Sequence, residues 1–352
     1  MTLNKLLSGH PSWLANGVEG DVVLSCRIRL ARNLKGVPFP AQASEADLSA
    51  VLNTAKTAIE GLCQTFGQEF IWVDIEALKE VERMVLVEKH LISPLQAANP
   101  HFRAAIVSAD SSMSIMVNEE DHFRIQVMKP GLDLTEVFAI ADKIDDAMEA
   151  KMDFAFDEGL GYLTACPTNI GTALRATAML HMPGLVLGRQ IDNMARAAAQ
   201  VGLNVRGMYG EGSEVHGDIF QVSNQLAMGY SEAELIDSMT EMVRQIASQE
   251  RLTRNQLLTR NRLGVEDMTW RAYGILSYAR ALENTEAMNL YSKALLGIEL
   301  GLLPLKKETI YQLMVVTRPN HILDILFRTG EPYTKDELRA KMAREKISEV
   351  TL

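Results

Sequence analysis

Residues 162–177 read Tyr-Leu-Thr-Ala-Cys-Pro-Thr-Asn-Ile-Gly-Thr-Ala-Leu-Arg-Ala-Thr. A cysteine followed by proline, an amide and a glycine predicts an amphipathic helix that begins here and carries Arg175 on its first turn. The N–H groups of a helix N-terminus favour anions, so a thiol there ionises more readily. Arg175 adds a planar set of donors that suits phosphate. A buried structural cysteine before an ordinary helix is the alternative for Cys166 taken alone.

A second polar motif is Leu24-Ser-Cys-Arg-Ile-Arg-Leu-Ala-Arg-Asn33. As a strand, it places Arg27 and Arg29 on one face and Ile28 and Leu30 on the other. Two neighbouring arginines repel each other unless an anion lies between them. The motif therefore indicates an anion site, with a solvent-facing sheet edge as the alternative.

A third motif is Val117-Asn-Glu-Glu-Asp-His-Phe-Arg-Ile-Gln-Val127. Glu119, Glu120 and Asp121 follow one another, and desolvated carboxylates raise one another's pKa values. A carboxylate of raised pKa suits a group that must accept a proton. A solvated hairpin turn is the alternative.

The fourth motif, Val205-Arg-Gly-Met-Tyr-Gly-Glu-Gly-Ser-Glu-Val-His-Gly217, contains four glycines together with Arg206 and Glu211. Glycines permit backbone shapes that allow a loop to close over a ligand. The motif lacks both the Gly-Lys-Ser/Thr ending of a P-loop and the GxGxxG spacing of a dinucleotide site. A strand is predicted over residues 218–224.

Together, and in this order, the four motifs resemble the catalytic domain of the guanidino (phosphagen) kinases over about residues 21–229. The resemblance implies an α+β fold with an antiparallel sheet flanked by helices. It also implies transfer of the γ-phosphoryl group of ATP to a guanidinium nitrogen, with ATP and Mg²⁺ as cofactors. Phosphate oxygens and water would hold most of the Mg²⁺ coordination shell, so no dedicated metal cage is expected.

The resemblance also implies which residues bind the nucleotide. Arginines serve because they clamp phosphates bidentately without losing charge, and His90 would pack beside the base, with a surface histidine as the alternative. The implied nucleotide site comprises Ser25, Cys26, Arg27, Ile28, Arg29, His90, Arg124, Arg175, Ala176, Thr177, Ala178, Met179, Arg206, Gly207, Met208, Tyr209, Gly210 and Glu211.

Three residues match the family's catalytic positions. A guanidinium is a cation and a poor nucleophile, so anions must hold it and one nitrogen must lose a proton. By resemblance, Glu120 is the principal base, and Glu211 is a second clamp and partial base. Cys166 matches the thiolate that contacts the guanidinium without attacking phosphorus.

The acceptor is predicted to be an arginine side chain in a protein. Kinases of small guanidino compounds place a helical domain before the Ser-x-Arg-x-Arg strand, whereas about two dozen residues precede Cys26 here. The local sequences around His90 and Glu211 also resemble those of the bacterial protein arginine kinases. A kinase of a free guanidino metabolite such as arginine is the main alternative. A phosphate-reading scaffold without catalysis is the other.

Composition agrees with a soluble, cytoplasmic enzyme. The chain has 352 residues, 47% of them apolar, and we expect no membrane span and no signal peptide. Three scattered cysteines argue against a disulfide framework and against a zinc site. A formal net charge of −10 favours basic partners over nucleic acid.

The chain is predicted to divide into a catalytic domain (1–230) and a helical dimerisation and regulatory domain (231–352). Strands are predicted before residue 230 at 22–28, 69–74, 103–108, 113–117, 123–127 and 219–222, with a helix after a capping box at Asp133. After a second capping box at Ser231, helices are predicted at 231–260, 267–284, 287–300, 307–316, 319–328 and 334–346. Gly264, Gly301, Pro304 and Pro319 are the expected breaks.

A regulatory site is predicted where the last helix begins. Thr334 and Glu337 form a capping box, which sets Lys335 and Arg339 one above the other. By resemblance to protein arginine kinases, the segment senses phosphoarginine; an ordinary capped surface helix is the alternative. That site comprises Lys335, Asp336, Arg339 and Ala340.

The resemblance to protein arginine kinases also implies partners. These are protein substrates with exposed arginines, a zinc-binding activator protein, a stress-gene repressor and a Clp-type protease. A homodimer acting in the bacterial stress response is expected on the same ground.

Overall fold

One large antiparallel sheet is the central element of a computed structural model that describes residues 3–207 and 216–349. The strands, in chain order, are β1 (Val23–Arg32), β2 (Phe70–Asp74), β3 (Ala104–Ser108), β4 (Met113–Val117), β5 (Phe123–Pro130), β6 (Phe156–Asp157), β7 (Gly161–Tyr162), β8 (Leu174–His181), β9 (Leu203–Gly207) and β10 (Ile219–Asn224). Eight of them form the sheet in the order β2-β3-β4-β5-β1-β8-β10-β9, and β6 and β7 form a separate ribbon. This arrangement confirms the predicted α+β class.

Helices flank the sheet and form the C-terminal part of the described chain. They are α1 (Leu3–Ser8), α2 (Glu45–Phe66), α3 (Glu80–Glu88), α4 (Pro94–Ala98), α5 (Leu134–Glu149), α6 (Pro183–Leu187), α7 (Ile191–Gln200), α8 (Glu232–Arg260), α9 (Arg262–Tyr278), α10 (Asn284–Glu299), α11 (Lys307–Val316), α12 (Pro319–Thr329) and α13 (Lys335–Ser348). No helix within the described residues is both long enough and apolar enough to cross a membrane.

The two faces of the sheet differ in chemistry. Alternate residues of β1 and β8 point into one core with α2, α5 and α8; Ile28, Leu30, Ala176 and Ala178 are among them. On the opposite face, α3 and α4 cover the β2–β4 end, and the C-terminal helices pack against β1, β8 and β10 through Leu24, Met179 and Ile219. The polar cleft described below opens between these two helical groups.

Most predicted elements are found within a few residues of their expected ends. The strands at 70–74, 104–108 and 113–117 match closely, and α11 has its predicted bounds. Ser231 and Thr334 cap α8 and α13 through reciprocal bonds with Glu234 and Glu337. Asp133 caps α5 by accepting from the backbone N–H of Glu136.

The predicted helix after Cys166 is wrong. Only a single 3₁₀ turn, Pro167–Asn169, follows the cysteine, and Arg175 lies on strand β8. Gly171 has φ +111°, a conformation that no helix contains. Beyond it, the alternation of apolar residues from Leu174 to Leu180 fits a strand that pairs with both β1 and β10. Pairing on both sides outweighs the weak helical preference of this alanine-rich segment.

A second correction concerns the start of α9. The break was expected at Gly264 with a helix from 267, but α9 begins at Arg262 and Gly264 lies in its first turn. The side chain of Asn261 accepts a hydrogen bond from the N–H of Gly264 at 3.2 Å. An asparagine N-cap therefore starts this helix, and glycine is tolerated just inside it.

Candidate active site

A cleft of about 180 Å³ opens at the middle of the polar face of the sheet. Five arginines from four strands line it: Arg27 and Arg29 on β1, Arg124 on β5, Arg175 on β8 and Arg206 on β9. The register explains the grouping, because Arg29 lies opposite Arg175 on one side and opposite Gln126 on the other. Cross-strand neighbours of this kind project on the same face. The predicted alternation of Arg27 and Arg29 with apolar neighbours is thus present, at the centre of the sheet and not at its edge.

Burial and mutual repulsion disfavour the charged forms of the arginines in the cluster. Burial, followed by repulsion from Arg124 and Arg175, lowers the pKa of Arg27 to about 10. Burial also lowers the pKa of Arg29 well below its ordinary value, with repulsion from Arg27, Arg124 and Arg175 adding to the effect. The buried Nε atoms of Arg27 and Arg29 have no hydrogen-bond acceptor among the described residues. A polyanion in the cleft would satisfy these donors and relieve the repulsion.

Two glutamines, which sequence reasoning missed, orient Arg27. Its Nη1 lies 3.5 Å from Oε1 of Gln126, and its Nη2 lies 3.4 Å from Oε1 of Gln221. Gln126 also donates to the carbonyl of His90 at 2.6 Å. Neutral acceptors hold the guanidinium without neutralising its charge. Gln126 follows Arg124 by two residues in β5. Because side chains two residues apart in a strand point to the same face, this spacing could have placed Gln126 in the cleft.

His90 lies in the wall of the cleft and is buried, so the surface-histidine alternative is wrong. It has φ +58°, and its ring meets that of Trp13 edge-on with centroids 5.3 Å apart. Burial, helped by Arg27, Arg318 and Arg29, lowers the pKa of His90 to about 3. The ring is therefore neutral at physiological pH. With Val87, Ile92, Pro94 and Met116 it gives one end of the cleft an apolar lining.

Glu88 joins this wall to the C-terminal helices. Its carboxylate accepts from the backbone N–H groups of Asn320 and His321, each at 3.0 Å, and from the His321 ring at 2.7 Å. A buried carboxylate thus caps the N-terminus of α12, where it also complements the helix dipole. The cap lies two residues before His90, so α12 and the cleft share one rigid segment.

The acidic triplet occupies the turn between β4 and β5, and its three carboxylates have different surroundings. Glu119 is buried, forms an ion pair with Arg124 Nη1 at 2.7 Å and accepts from the Ser93 hydroxyl. Glu120 is partly exposed and lies 3.3 Å from Arg124 Nη2. Burial raises the pKa of Glu120; Arg124 opposes this, whereas Asp121 and Glu119 add to it. A solvated hairpin turn is therefore the wrong interpretation, because Glu119 and Asp121 are buried.

Asp121 ties this turn to the loop that carries Cys166. Its buried Oδ1 accepts from the side chain of Asn33 and from the backbone N–H of Ala165, each at 2.7 Å. Asn33 also donates to the carbonyl of Leu163 at 3.0 Å. One carboxylate thus fixes the Cys166 loop against the turn that bears Glu120. Sequence reasoning did not identify this positioning role.

Cys166 is half-buried and precedes the 3₁₀ turn. Its Sγ lies 3.1 Å from the hydroxyl of Thr168, which can donate to a thiolate. Asn169, in the same turn, accepts from Arg175 Nη2 at 3.4 Å. Arg175 therefore connects the thiol loop with the arginine cluster.

Other predicted nucleotide-site residues lie on both faces of the sheet. Cys26, Ile28, Ala176 and Ala178 point into the helix-covered core, where burial raises the pKa of Cys26 to about 12. They can contact a ligand in the cleft only through the backbone. Ser25, Thr177 and Met179 are buried on the cleft face of the sheet. Gly207 is buried at the end of β9. Four further predicted residues fall outside the described part of the chain: Met208, Tyr209, Gly210 and Glu211.

Two of the four residues predicted for the phosphoarginine site, Arg339 and Ala340, are buried. Arg339 is 2% exposed and donates to the carbonyls of Thr317 at 2.9 Å and Leu282 at 2.6 Å, and to Asp336 at 2.6 Å. Lys335 is exposed. Lys335 and Arg339 lie four residues apart on α13, as predicted. Lys335 is in contact with solvent, however, whereas Arg339 is buried.

Comparison with known proteins identifies the family to which the chain belongs. Residues 50–253 match the sequence model of the ATP:guanido phosphotransferase C-terminal catalytic domain. Residues 262–351 match the protein-arginine kinase McsB C-terminal domain. The chain belongs to the protein-arginine kinase family. A protein-arginine kinase of Moorella thermoacetica is 44% identical over 99% of this chain and 100% of its own length. A protein-arginine kinase of Brevibacillus brevis is 42% identical over 96% of this chain and 95% of its own length.

Solved structures agree on the fold of this family member. The duplicated taurocyamine kinase of Schistosoma mansoni matches with a TM-score of 0.61 and 26% identity, over 71% of this chain and 38% of that one. A lombricine kinase matches with a TM-score of 0.59 and 24% identity, over 72% and 71%. The chain is thus a guanidino phosphotransferase that uses ATP, on a phosphagen-kinase sheet.

Proposed function

We propose that this kinase transfers the γ-phosphoryl group of ATP to the guanidinium of arginine side chains in proteins. The observation that carries the proposal is the arginine cluster of the cleft, in which the buried Nε donors of Arg27 and Arg29 lack an acceptor among the described residues, next to Glu120 and the Cys166 loop. Matches to curated protein-arginine kinases over nearly their whole length favour protein arginine over a free metabolite.

The cleft residues fit a nucleoside triphosphate. Phosphoryl transfer needs in-line positioning and stabilisation of charge on the equatorial oxygens, which fixed arginine forks supply. The orphaned Nε atoms of Arg27 and Arg29 point to phosphate as the missing partner. The apolar wall near His90 suits the base. Mg²⁺, when bound, neutralises phosphate charge.

The residues present also define how Mg²⁺ would be held. Glu119, a buried carboxylate beside the cleft, is already engaged by Arg124 and Ser93. The described residues contain no group of three His, Cys, Asp or Glu side chains able to hold a metal. By resemblance, phosphate oxygens and water would supply most of the Mg²⁺ coordination.

On the acceptor side, Glu120 takes the guanidinium proton as the nitrogen attacks phosphorus. Its raised pKa makes it a stronger base than an ordinary carboxylate. Cys166, aided by Thr168, stabilises the cation while the proton leaves. Glu211, by resemblance, is the second anionic clamp. Two carboxylates and a thiolate select a planar cation over a hydroxyl.

Cys166→Ser is expected to lower the turnover number by about 10²-fold, because a hydroxyl remains protonated at neutral pH and weakens the clamp on the guanidinium. Wild-type activity should also be lost on thiol alkylation, and ATP with substrate should protect it. Cys63→Ser, at another partly buried cysteine, is the matched control. If alkylated Cys166, verified by mass spectrometry, leaves the rate intact, the thiol has no part in turnover.

The product identifies the reaction. Incubation with ATP and an unfolded, arginine-containing polypeptide should yield acid-labile phosphate on arginine, read by ³¹P NMR and mass spectrometry. The same polypeptide with every arginine replaced by lysine should accept none. Acid-stable phosphate on hydroxyl side chains would contradict the proposal.

We further propose that phosphoarginine binds at Lys335, Asp336, Arg339 and Ala340 and regulates the kinase. Arg339 holds the carbonyl of Thr317, which precedes α12, and Glu88 caps α12 two residues from His90. A ligand that moves Arg339 therefore has a short, hydrogen-bonded route to the cleft. Coupling of this kind requires that the ligand bind the two arrangements differently.

Lys335 offers the clean test of regulation, because Arg339→Ala removes three structural hydrogen bonds as well as a charge. Lys335→Arg adds a bidentate fork and should increase activation by a phosphoarginine peptide several-fold, whereas Lys335→Gln should decrease it. Activation is measured for each variant relative to its own basal rate. Equal activation of both variants would remove Lys335 from the site.

We extend the proposal to partners and organisation on the basis of the resemblance. The kinase would act in the cytoplasm during the stress response with a zinc-binding activator, a stress-gene repressor and a Clp-type protease. A homodimer through α9 is supported by its exposed Leu263, Trp270 and Tyr278. The boundary at residue 230 remains a prediction; packing of α8 on the sheet core favours a division near Asn261.

A further inference from the structure

An apolar groove of about 370 Å³ adjoins the loop that carries Cys166. Its floor and rim come from the β6–β7 ribbon, from the end of the Cys166 loop and from the segment after β10. We call it the ribbon groove and define it by Phe156, Leu160, Tyr162, Gly171, Met228 and Tyr230.

Close backbone contacts fix the shape of the ribbon groove. Tyr162 N–H donates to the carbonyl of Gly171 at 2.8 Å. A Cβ added to Gly171 would lie 2.8 Å from the carbonyl oxygen of Ala227, and one added to Gly161 would lie 2.4 Å from the Gly171 carbonyl oxygen. Both glycines have positive φ, so other residues would be strained there. Ribbon, thiol loop and post-β10 segment therefore meet as one unit.

The groove exposes an unusual amount of apolar side chain. Phe156 and Tyr230 are each 57% exposed, Met228 is 51% exposed and Leu160 is 45% exposed. Leu226, in the same post-β10 segment, is 56% exposed and lines a neighbouring cavity that shares Tyr230 with the groove. Large, contiguous exposed patches of this kind mark binding surfaces, whereas single exposed apolar residues do not.

Carboxylates border the apolar surface. Asp142, Asp146 and Glu149 lie on one face of α5, spaced by three and four residues, and Glu232 lines the groove itself. Burial raises the pKa of Tyr162; the Arg32 guanidinium over its ring opposes this, whereas Asp145, Glu149 and Glu232 add to it, so the field of these carboxylates reaches the groove. The surface is thus apolar in its middle and anionic along this edge.

Position along the chain links the groove to the reaction centre. Tyr162 precedes Cys166 by four residues, and Gly171 follows it by five. Four residues of extended chain span at most about 15 Å. Asp121 anchors the intervening Ala165 to the turn that bears Glu120. A polypeptide whose arginine enters between Glu120 and Cys166 therefore has its nearby residues within reach of the groove.

We propose that the ribbon groove binds the substrate polypeptide on the residues flanking the target arginine. It selects segments in which an apolar side chain lies within about four residues of that arginine and further basic residues follow. Such segments are exposed in unfolded proteins and buried in folded ones. This inference rests on the proposed protein-arginine kinase activity and names the substrate class of the same site.

Two peptides with one arginine each test the proposal: one has leucine on both sides of the arginine, and the other has glycine. The wild type should show a KM at least tenfold lower for the leucine peptide. Leu160→Ser combined with Met228→Ser should raise that KM about tenfold and change the KM of the glycine peptide less than twofold. Anisotropy of the labelled leucine peptide, measured without ATP, should show the same tenfold loss of affinity.

Matched controls keep the result specific. Leu187 is 45% exposed and Leu252 is 50% exposed, so Leu187→Ser combined with Leu252→Ser removes equivalent apolar surface elsewhere. This control should leave both KM values unchanged. Asp146→Asn combined with Glu149→Gln should weaken binding of a leucine peptide that carries two extra lysines, and should flatten its dependence on salt.

The outcomes separate failure of the groove from failure of the proposed function. If the wild type phosphorylates both peptides and the groove variants shift neither KM, the groove inference is wrong and the activity stands. If neither peptide nor an unfolded protein accepts phosphate, the proposed function itself fails. If the groove variants change the sedimentation coefficient and not the KM, a second copy of this chain occupies the groove and the inference is overturned.

Discussion

Glu120→Gln is expected to lower the turnover number by about 10²–10⁴-fold while the affinity for ATP changes little. Glutamine keeps the shape and the contact with Arg124 but cannot accept the guanidinium proton. Initial rates with saturating ATP and polypeptide measure the effect, and nucleotide titration of the same protein measures binding. Glu60→Gln, at an exposed site on α2, is the control and should be silent.

The pH dependence of the activity gives a second test of the role of Glu120. Burial raises the pKa of Glu120, and a base works only when deprotonated. Wild-type activity should therefore fall as pH decreases through a value above the ordinary range for a glutamate. In Glu120→Gln this acid limb should disappear. Near-normal turnover, or an unchanged acid limb in the variant, would move the base to another residue.

Arg29→Met is expected to lower the turnover number by about 10³-fold or more. It should not lower the melting temperature of the ligand-free protein. Burial and three neighbouring arginines disfavour the Arg29 cation, and its Nε has no acceptor among the described residues. Removing the cation therefore relieves repulsion among the arginines, which offsets the loss of its attraction to Glu119. The stabilisation that wild type gains from ATP should be lost with it.

Arg32→Met is the matched control on the same strand. Arg32 is buried, whereas Arg29 is half-buried, and Arg32 forms a two-pronged pair with Asp145 at 2.6–3.0 Å. Breaking such a pair leaves a buried carboxylate and costs about 3–5 kcal/mol. Thermal unfolding should thus separate the two variants. If Arg29→Met is as unstable as Arg32→Met, Arg29 is structural and the anion-site account of the cluster fails.

Local alternation was enough to predict the arginine face of the sheet. Arg27 and Arg29 are separated by one apolar residue, and that period survives folding because the apolar side packs on α5 and α8. The same rule applied to Leu174–Leu180 would have found β8. The cysteine–proline pair instead suggested a helix, because sequence alone does not show that β1 and β10 pair with this segment on both sides.

Contacts between distant residues were beyond the reach of sequence patterns. The bond from Ala165 N–H to Asp121 spans 44 positions, and no local rule distinguishes Asp121 from the glutamates beside it. Likewise, the spacing of Lys335 and Arg339 gives their relative angle on α13 but not which of them faces the core. Burial of Arg339 against Thr317 follows from the packing of α13 on its neighbours.

The central claim is that the acceptor is an arginine within a polypeptide. Its most direct measurement is the initial rate of acid-labile phosphate formation with an unfolded, arginine-rich protein and with free arginine, at equal arginine concentration and saturating ATP. We expect a rate at least about 10²-fold higher with the polypeptide than with free arginine. Glu120→Gln should form no acid-labile phosphate with either acceptor. Equal or faster phosphorylation of free arginine would contradict it and make this chain a metabolite kinase.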